Sequence, residues 1–297
     1  MYSSEEIFAP TLLEIESLRI RESNKGTYGH AYIIGGSFSY SGAPYLSYGA
    51  SAAYRMGIGY AHLAIPKSLV PAYMLKDPQA IITSMDESNG FLRFNKEEFD
   101  ALMKDAKGIA FGMGAGNNEE TAKVAQYLLS NFGGMLLLDA DALNSIASYG
   151  YLGNLERHVG PLVLTPHLKE FSRLTGIAID EIEARQKELA KEFAKKWNCV
   201  LALKSHRTYV SDGESTYEVS AGNSGLAKAG SGDLLSGLII GLSWAYPSIP
   251  LIKIATLGCS LLGKAAEYVS KNNGGLEFAT TAFDIINAIP MIMKNDH

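Results

Sequence analysis

Residues 230–233 read Gly-Ser-Gly-Asp and open the apolar stretch LLSGLIIGLSWA, whose composition predicts a buried helix. The first turn of a helix has N–H groups without intrahelical partners and the positive end of the macrodipole. Glycine lets a ligand approach that backbone closely, so phosphate oxygens fit there. Asp233, set in the same positive field, is expected to stay ionised and to accept a proton from a substrate hydroxyl. The chemistry read from these four residues is phosphoryl transfer to an alcohol. An Asp at a helix start can also be a cap, and a glycine-rich turn can be only a turn. The preceding AGNSGLAKA raises the functional reading by offering small residues and Asn223 to the same cavity.

Other chemistry-bearing residues fall where strands end. In KSHRT (204–208), Lys204 could meet an anion and Thr208 could supply a hydroxyl; the bland reading is a solvated basic turn. In LTPHLKEF (164–171), Pro166 ends a strand, His167 emerges at its carboxyl end, and Glu170 lies in the first turn of the next helix. Ligands collect at that edge of open α/β sheets. LLLDADALN (136–144) puts Asp139, Asp141 and Asn144 at another strand end. At least one aspartate is expected to cap the following helix, and a free one could orient substrate or hold Mg²⁺ through water. GGSFSYSGAP (35–44) repeats the design after the first strand, with Ala43 and Pro44 starting a helix of small residues.

Several near-matches are set aside. GCSLLGKA (258–265) approaches a P-loop, but Ala265 replaces the required Ser or Thr and no strand precedes it. GMGAG (112–116) has its third glycine one residue too early for a dinucleotide fingerprint, although its glycines could still serve a ligand. The histidines show no metal-ligand spacing, and there is no GxSxG elbow.

The elements that must position these residues follow from the apolar pattern. AYIIGGS (31–37), YAHLAIP (60–66), KGIAFG (107–112), GMLLLDAD (134–141), PLVLTP (161–166) and CVLALKS (199–205) read as buried strands. GAPYLSYGASAAYRMG, NEETAKVAQYLLSNF, HLKEFSRLTG and DEIEARQKELAKEFAKKW read as the helices between them. Apolar strands alternating with helices predict an α/β fold with a parallel sheet covered on both faces. SDGES joins two β-type runs within residues 207–220 as a hairpin, and the chain from residue 231 onward reads as helical, interrupted at Pro247 and Pro250. One domain over 1–297, with residues 1–24 as a lead-in, is the simplest reading.

The 297-residue chain is 47% hydrophobic and 19% charged with a net charge of -5, a globular composition with no basic patch for nucleic acid. Its longest apolar run falls short of the roughly 20 residues that span a bilayer. The N-terminus lacks a secretory pattern. Cys199 and Cys259 lie in separate apolar stretches and are expected to be buried thiols, which fits a cytoplasmic protein.

Taken in order, GTYGHAYIIGGSFSYSGAP, FGMGAG, DADALN, LTPHLKEFSRLTG, LKSHRT, NSGLAKAGSGDLLSG and FATTAFDIINAIP resemble the NAD(P)H-hydrate dehydratases of the ribokinase-like superfamily. The resemblance runs from about residue 25 to the C-terminus. GSGD alone is shared by many ribokinase-like enzymes; TPHxxEF with DADALN and the GGS-to-GAP opening is more specific. The resemblance implies a three-layer αβα sandwich with a central, mostly parallel sheet. It implies dehydration of the S form of hydrated NADH or NADPH at the expense of a nucleotide. The ring hydroxyl is phosphorylated and phosphate is then expelled with help from the ring nitrogen. Bacterial-type members use ADP and release AMP and phosphate, eukaryotic-type members use ATP, and the stand-alone architecture here suggests ADP, with Mg²⁺ bridging phosphate oxygens.

Carried onto this chain, Asp233 resembles the base that activates the hydroxyl and also touches substrate. Ala229, Gly230, Ser231 and Gly232 resemble the phosphate-stabilising backbone, and Lys204, Ser205, His206, Arg207 and Thr208 the nucleotide-binding segment. Ala43, Gly114, His167 and Asn223 match positions at the hydrated dinucleotide. Met113 and Ala115 stand where the family usually shows Pro and Leu, a change expected to alter packing more than the glycine backbone. Ser224, Leu226 and Lys228 replace Pro, Met and a small residue; Lys228 is expected to point to solvent rather than to phosphate. The family implies a homo-oligomer, a tetramer, and any epimerase is expected on a separate chain. The alternative reading is a vitamin-precursor kinase acting on a hydroxymethylpyrimidine or a thiazole alcohol.

Overall fold

The computed structural model of the protein describes residues 2–49 and 55–294. Its strands are β1 (Tyr2–Ser3), β2 (His30–Ile34), β3 (Tyr60–Pro66), β4 (Ile81–Met85), β5 (Glu87–Ser88), β6 (Phe91–Leu92), β7 (Gly108–Phe111), β8 (Met135–Leu138), β9 (Leu162–Leu164), β10 (Val200–Leu203), β11 (Thr208–Ser211) and β12 (Thr216–Val219). Ten of them form one sheet in the order β1-β12-β11-β10-β9-β8-β7-β2-β3-β4, and β5 with β6 forms a small antiparallel ribbon. Every pairing in the large sheet is parallel except those of β11 with β10 and β12.

Alternation along the strands builds two cores. Ala31, Ile33, Leu137, Val200 and Ala202 face one side, against the helices Glu5–Ser17, Gly42–Tyr48, Ser231–Ala245, Leu251–Asn272 and Ala282–Lys294. Tyr32, Ile34, Leu136, Leu138, Leu201 and Leu203 face the other, against Lys96–Asp105, Glu119–Asn131, Asp141–Ser148, Leu168–Thr175 and Ile179–Trp197. Side chains two residues apart share a face, so one continuous apolar strand serves both layers. The expected three-layer α/β arrangement with a mostly parallel sheet is therefore observed.

Three differences from the sequence reading stand out. Residues 2–17, within the stretch read as a lead-in, carry elements of the fold: β1 adds to the sheet edge beside β12, and the Glu5–Ser17 helix buries Phe8, Leu12 and Ile15 in the first core. Strands β4 to β6 follow β3 where no strand was read, because their exposed positions break the apolar pattern. The helix read across GAPYLSYGASAAYRMG is present at Gly42–Tyr48, and its residues 50–54 lie outside the described residues. Cys199 and Cys259 are buried free thiols, each pushed up to about 12 by burial. Among the described residues no helix is long and apolar enough to cross a membrane.

Candidate active site

The motif residues gather at the carboxyl edge of the parallel strands. The Ser231–Ala245 helix begins after Gly230, whose φ of 100° lies in the left-handed region that glycine adopts without strain. No side chain caps this helix, so the reading of Asp233 as a cap is not realised. Among the described residues, the first turn's backbone bonds to preceding residues are Ser231 N–H to Lys228 O at 3.4 Å and Leu234 N–H to Gly230 O at 3.0 Å. Among the described residues the N–H groups of Gly232 and Asp233 have no such partner, as an anion site requires.

Lys204, at the end of β10, reaches across to this turn. Its Nζ donates to Asp139 Oδ1 at 2.9 Å, and a side-chain carbon on Gly232 would sit 3.3 Å from that Nζ. Asp139 is 1% exposed, and its other oxygen accepts from Ser236 Oγ at 2.8 Å. Burial works against the Lys204 charge, but Asp139, Glu170 and Asp233 outweigh it and hold the ammonium more firmly protonated than a free lysine.

The expectation for Asp233 needs correction. Burial, reinforced by the charges of Asp139 and Asp141 and opposed by Lys204, pushes its carboxyl up to about 7. Desolvation and like charge outweigh the helix terminus that was expected to keep it ionised. A carboxyl poised near neutrality suits proton transfer better than one fully ionised in acid.

The Asp139–Asp141 turn also differs from expectation. Neither aspartate caps the Asp141–Ser148 helix, whose N-cap is Ala140. Ala140 adopts φ 49° and ψ -116°, a conformation that costs a non-glycine residue about 1–3 kcal/mol. The reversal sends the two carboxylates apart. Asp139 goes to Lys204 and Ser236, while Asp141 Oδ2 accepts the Gly116 N–H at 2.8 Å. Asn144 accepts from Arg173 Nη1 at 2.7 Å.

His167 caps the Leu168–Thr175 helix. Its Nδ1 accepts the N–H groups of Lys169 and Glu170, each at 3.1 Å, and Glu170 returns Oε2 to the His167 N–H at 2.8 Å. With Nδ1 an acceptor, Nε2 carries the proton and lies 3.3 Å from Glu170 Oε1. Both ring nitrogens are thus engaged, and the half-exposed ring offers mainly its face and edge to a ligand. Glu170 is buried, and burial pushes its carboxyl above the ordinary carboxylate range despite nearby Lys204. A backbone bridge between His167 and Lys204 joins this segment to the lysine.

A second corner lies beside the first. A side-chain carbon on Gly114, whose φ is 66°, would come within 3.0 Å of Ala43 Cβ, so these two expected substrate residues are neighbours. Ser47 Oγ donates to Asp233 O at 2.8 Å, tying the Gly42–Tyr48 helix to the turn that carries Asp233.

The remaining expected residues take other directions. Ser205 Oγ donates to Gln186 Oε1 at 2.7 Å, and Arg207 pairs with Glu218 at 3.1 Å. Thr208 begins β11 opposite Val219. His206, Arg207 and Tyr209 line a groove of about 410 Å³ with Glu183, Arg185 and Gln186 of a helix that kinks at Arg185. Asn223 is committed to the framework: it accepts from Gly225 N–H and donates to Ala266 O and Ser270 Oγ. Lys228 is exposed, but its ammonium is neither free in solvent nor at Gly232; it donates to the carbonyls of Phe278 and Thr280. Ser224 donates both N–H and Oγ to Glu277 Oε2, so two of the family departures fasten one loop to residues 277–280. Met113 and Ala115 are fully buried, so those departures do act through packing.

Ser236 and Ser47 did not emerge from the sequence. Ser236 follows Asp233 by one helical turn, a spacing that marks a shared face, whereas nothing local marks Ser47.

Comparisons with known proteins follow the same line. A family model described as NAD(P)H-hydrate dehydratase matches residues 31–290. Over 260 residues the chain is 32% identical to an ADP-dependent (S)-NAD(P)H-hydrate dehydratase of Neisseria meningitidis serogroup B, covering 86% of this chain and 82% of that protein. Over 282 residues it is 32% identical to the bifunctional NAD(P)H-hydrate repair enzyme Nnr of Moorella thermoacetica, covering 93% of this chain. It spans 51% of that relative, about half its length. The crystal structure of an ADP/ATP-dependent NAD(P)H-hydrate dehydratase from Bacillus subtilis, co-crystallised with ATP/Mg²⁺, has a TM-score of 0.76 at 25% identity over 95% of this chain and 97% of that one.

Proposed function

The chain belongs to the NAD(P)H-hydrate dehydratase family, and on that premise we propose that it restores NADH and NADPH from the S form of their hydrates in an ADP-dependent dehydration. The observation that carries the reading is the meeting of Asp233, Lys204 and Asp139 at the uncapped start of the Ser231–Ala245 helix. Phosphoryl transfer needs cationic and N–H groups around the phosphate and a base at the acceptor hydroxyl.

Asp233 takes the proton of the ring hydroxyl, whose oxygen bonds to the terminal phosphorus of ADP as AMP departs. The backbone of residues 229–232 and the Lys204 ammonium hold the phosphate oxygens. The nucleotide runs from Lys204 along Ser205, His206, Arg207 and Thr208, beside the groove those residues help to line. Ala43, Gly114 and the ring of His167 border the hydrated dinucleotide, and Asn223 fixes the loop that leads to residue 229. The phosphate ester then breaks its C–O bond, the ring nitrogen supplies the electron pair, and loss of a neighbouring C–H proton restores the double bond.

Mg²⁺ fits this site as a companion of the nucleotide. Among the described residues no three His, Cys, Asp or Glu side chains form a metal cluster, which suits an ion held largely by phosphate and water. Asp139 and Glu170 are the carboxylates beside Lys204 toward which it would be drawn, and it would offset phosphate charge. We read the enzyme as a cytoplasmic homo-oligomer. The kinase alternative shares GSGD but has less support, since the family match runs through residues 31–290.

Incubation with hydrated NADH and ADP should restore the reduced-nicotinamide absorbance and release one AMP per NADH. Absence of recovery with both ADP and ATP would overturn the proposal.

A further inference from the structure

We propose that Tyr40 is the aromatic wall of the substrate corner and that its ring face stabilises the positive charge that forms on the nicotinamide ring as phosphate departs. This inference rests on the dehydratase reading above. It starts from an aromatic side chain 63% exposed on a fixed backbone. The Tyr40 N–H donates to Ser37 O at 3.1 Å, and its carbonyl accepts the Ala43 N–H at 3.4 Å. Holding a large ring in water costs hydrophobic free energy that covering it would recover.

The root of the ring is the second observation. A side-chain carbon on Gly114 would lie 2.8 Å from Tyr40 Cβ, 2.7 Å from Tyr40 O and 3.0 Å from Ala43 Cβ. Tyr40 therefore springs from the point where Gly114 and Ala43 meet. That point is tied to the turn that carries the base, because Ser47 Oγ donates to the backbone carbonyl of Asp233 at 2.8 Å and lies 3.5 Å from Ala43 O. We place the ring of a substrate whose hydroxyl meets Asp233 against the phenol at this corner.

The chemistry asks for such a face. When the C–O bond of the phosphate ester breaks, both electrons leave on phosphate and the ring nitrogen donates its lone pair, leaving a C=N⁺ cation. Removal of a proton from the adjacent carbon converts that C–H pair into C=C and cancels the charge. The cation exists only during elimination, and an electron-rich aromatic face attracts it. An interaction confined to that stage lowers the barrier without tightening substrate binding.

The test compares steady-state kinetics with ADP and hydrated NADH for wild type, Tyr40→Leu, Tyr40→Phe and Phe38→Leu. Tyr40→Leu should lower kcat about tenfold, the scale of a lost cation–π contact, with the KM for ADP unchanged. Tyr40→Phe keeps the ring and should stay near wild type. Phe38 is 80% exposed in the same loop but is rooted beside Gly90, so Phe38→Leu should behave as wild type. Wild-type kcat in Tyr40→Leu, an equal loss in Tyr40→Phe, or an equal loss in Phe38→Leu would overturn the inference. An inactive wild type would instead overturn the dehydratase reading, so the two failures are distinguishable.

Discussion

Asp233→Asn is expected to lower kcat by about 10³-fold, within the range for loss of a general base, while ADP binds as well as before or more tightly. The amide cannot take the hydroxyl proton, yet it removes a negative charge from beside the phosphates. Because the wild-type carboxyl is pushed up to about 7, kcat/KM should climb as pH rises toward 7 and level off above it. A second signature comes from stability. The folded protein holds the Asp233 proton up to about 7 against 3.8 for a free carboxyl. Folding is therefore unaffected by this group below pH 4, is disfavoured progressively as pH rises from 4 to 7, and loses nothing further above that. The rise in pKa corresponds to up to ~4 kcal/mol, which the amide should recover. Asp233→Asn should thus melt above wild type at pH 8 and near it at pH 4. Calorimetric ADP titration, a pH–rate profile and melting at the two pH values check the three parts. Weakened ADP binding with unchanged turnover would remove Asp233 from the role of base.

Lys204→Met should damage folding and nucleotide binding together, and a second substitution should separate them. Lys204 and Asp139 form an ion pair with side chains only 19% and 1% exposed. Removing one partner of a buried pair costs about 3–5 kcal/mol, because the other charge is stranded. Ser236 Oγ would remain as an Asp139 partner, but a hydroxyl cannot replace an ammonium. The double variant Lys204→Met/Asp139→Asn should regain most of the lost stability, since it no longer strands the Asp139 charge, and should still bind ADP poorly. Urea unfolding and ADP titration of the three proteins read the two effects separately. Full recovery of ADP affinity in the double variant would show that Lys204 serves the fold alone.

The sheet was largely legible because its strands are buried on both faces. IIGG, IAFG, LLLD, LVLTP and LALKS are apolar runs that stop at Gly, Pro or polar residues, and the site grows from those stops. Residues 2–17 were not legible as part of the fold. β1 pairs with β12 more than 200 residues away, and no local pattern announces a two-residue edge strand. GSGD, Lys204, Asp139 and His167 were visible as residue types at strand or helix ends. Their mutual arrangement was not, because it depends on the Ala140 reversal, a conformation that sequence propensity argues against. The protonation of Asp233 was misjudged for a related reason. The helix terminus is local and readable, whereas burial and the charges of Asp139 and Asp141 come from distant segments. Lys228 followed suit, since its two carbonyl partners lie some 50 residues downstream.

The central claim is that the substrate oxygen activated by Asp233 becomes bonded to phosphorus before it leaves the ring. Hydrated NADH carrying ¹⁸O in the ring hydroxyl tests this most directly, with the released phosphate and the solvent analysed by mass spectrometry. The account predicts one ¹⁸O atom in phosphate for each NADH restored and none in water. Label released to water, with unlabelled phosphate, would contradict it.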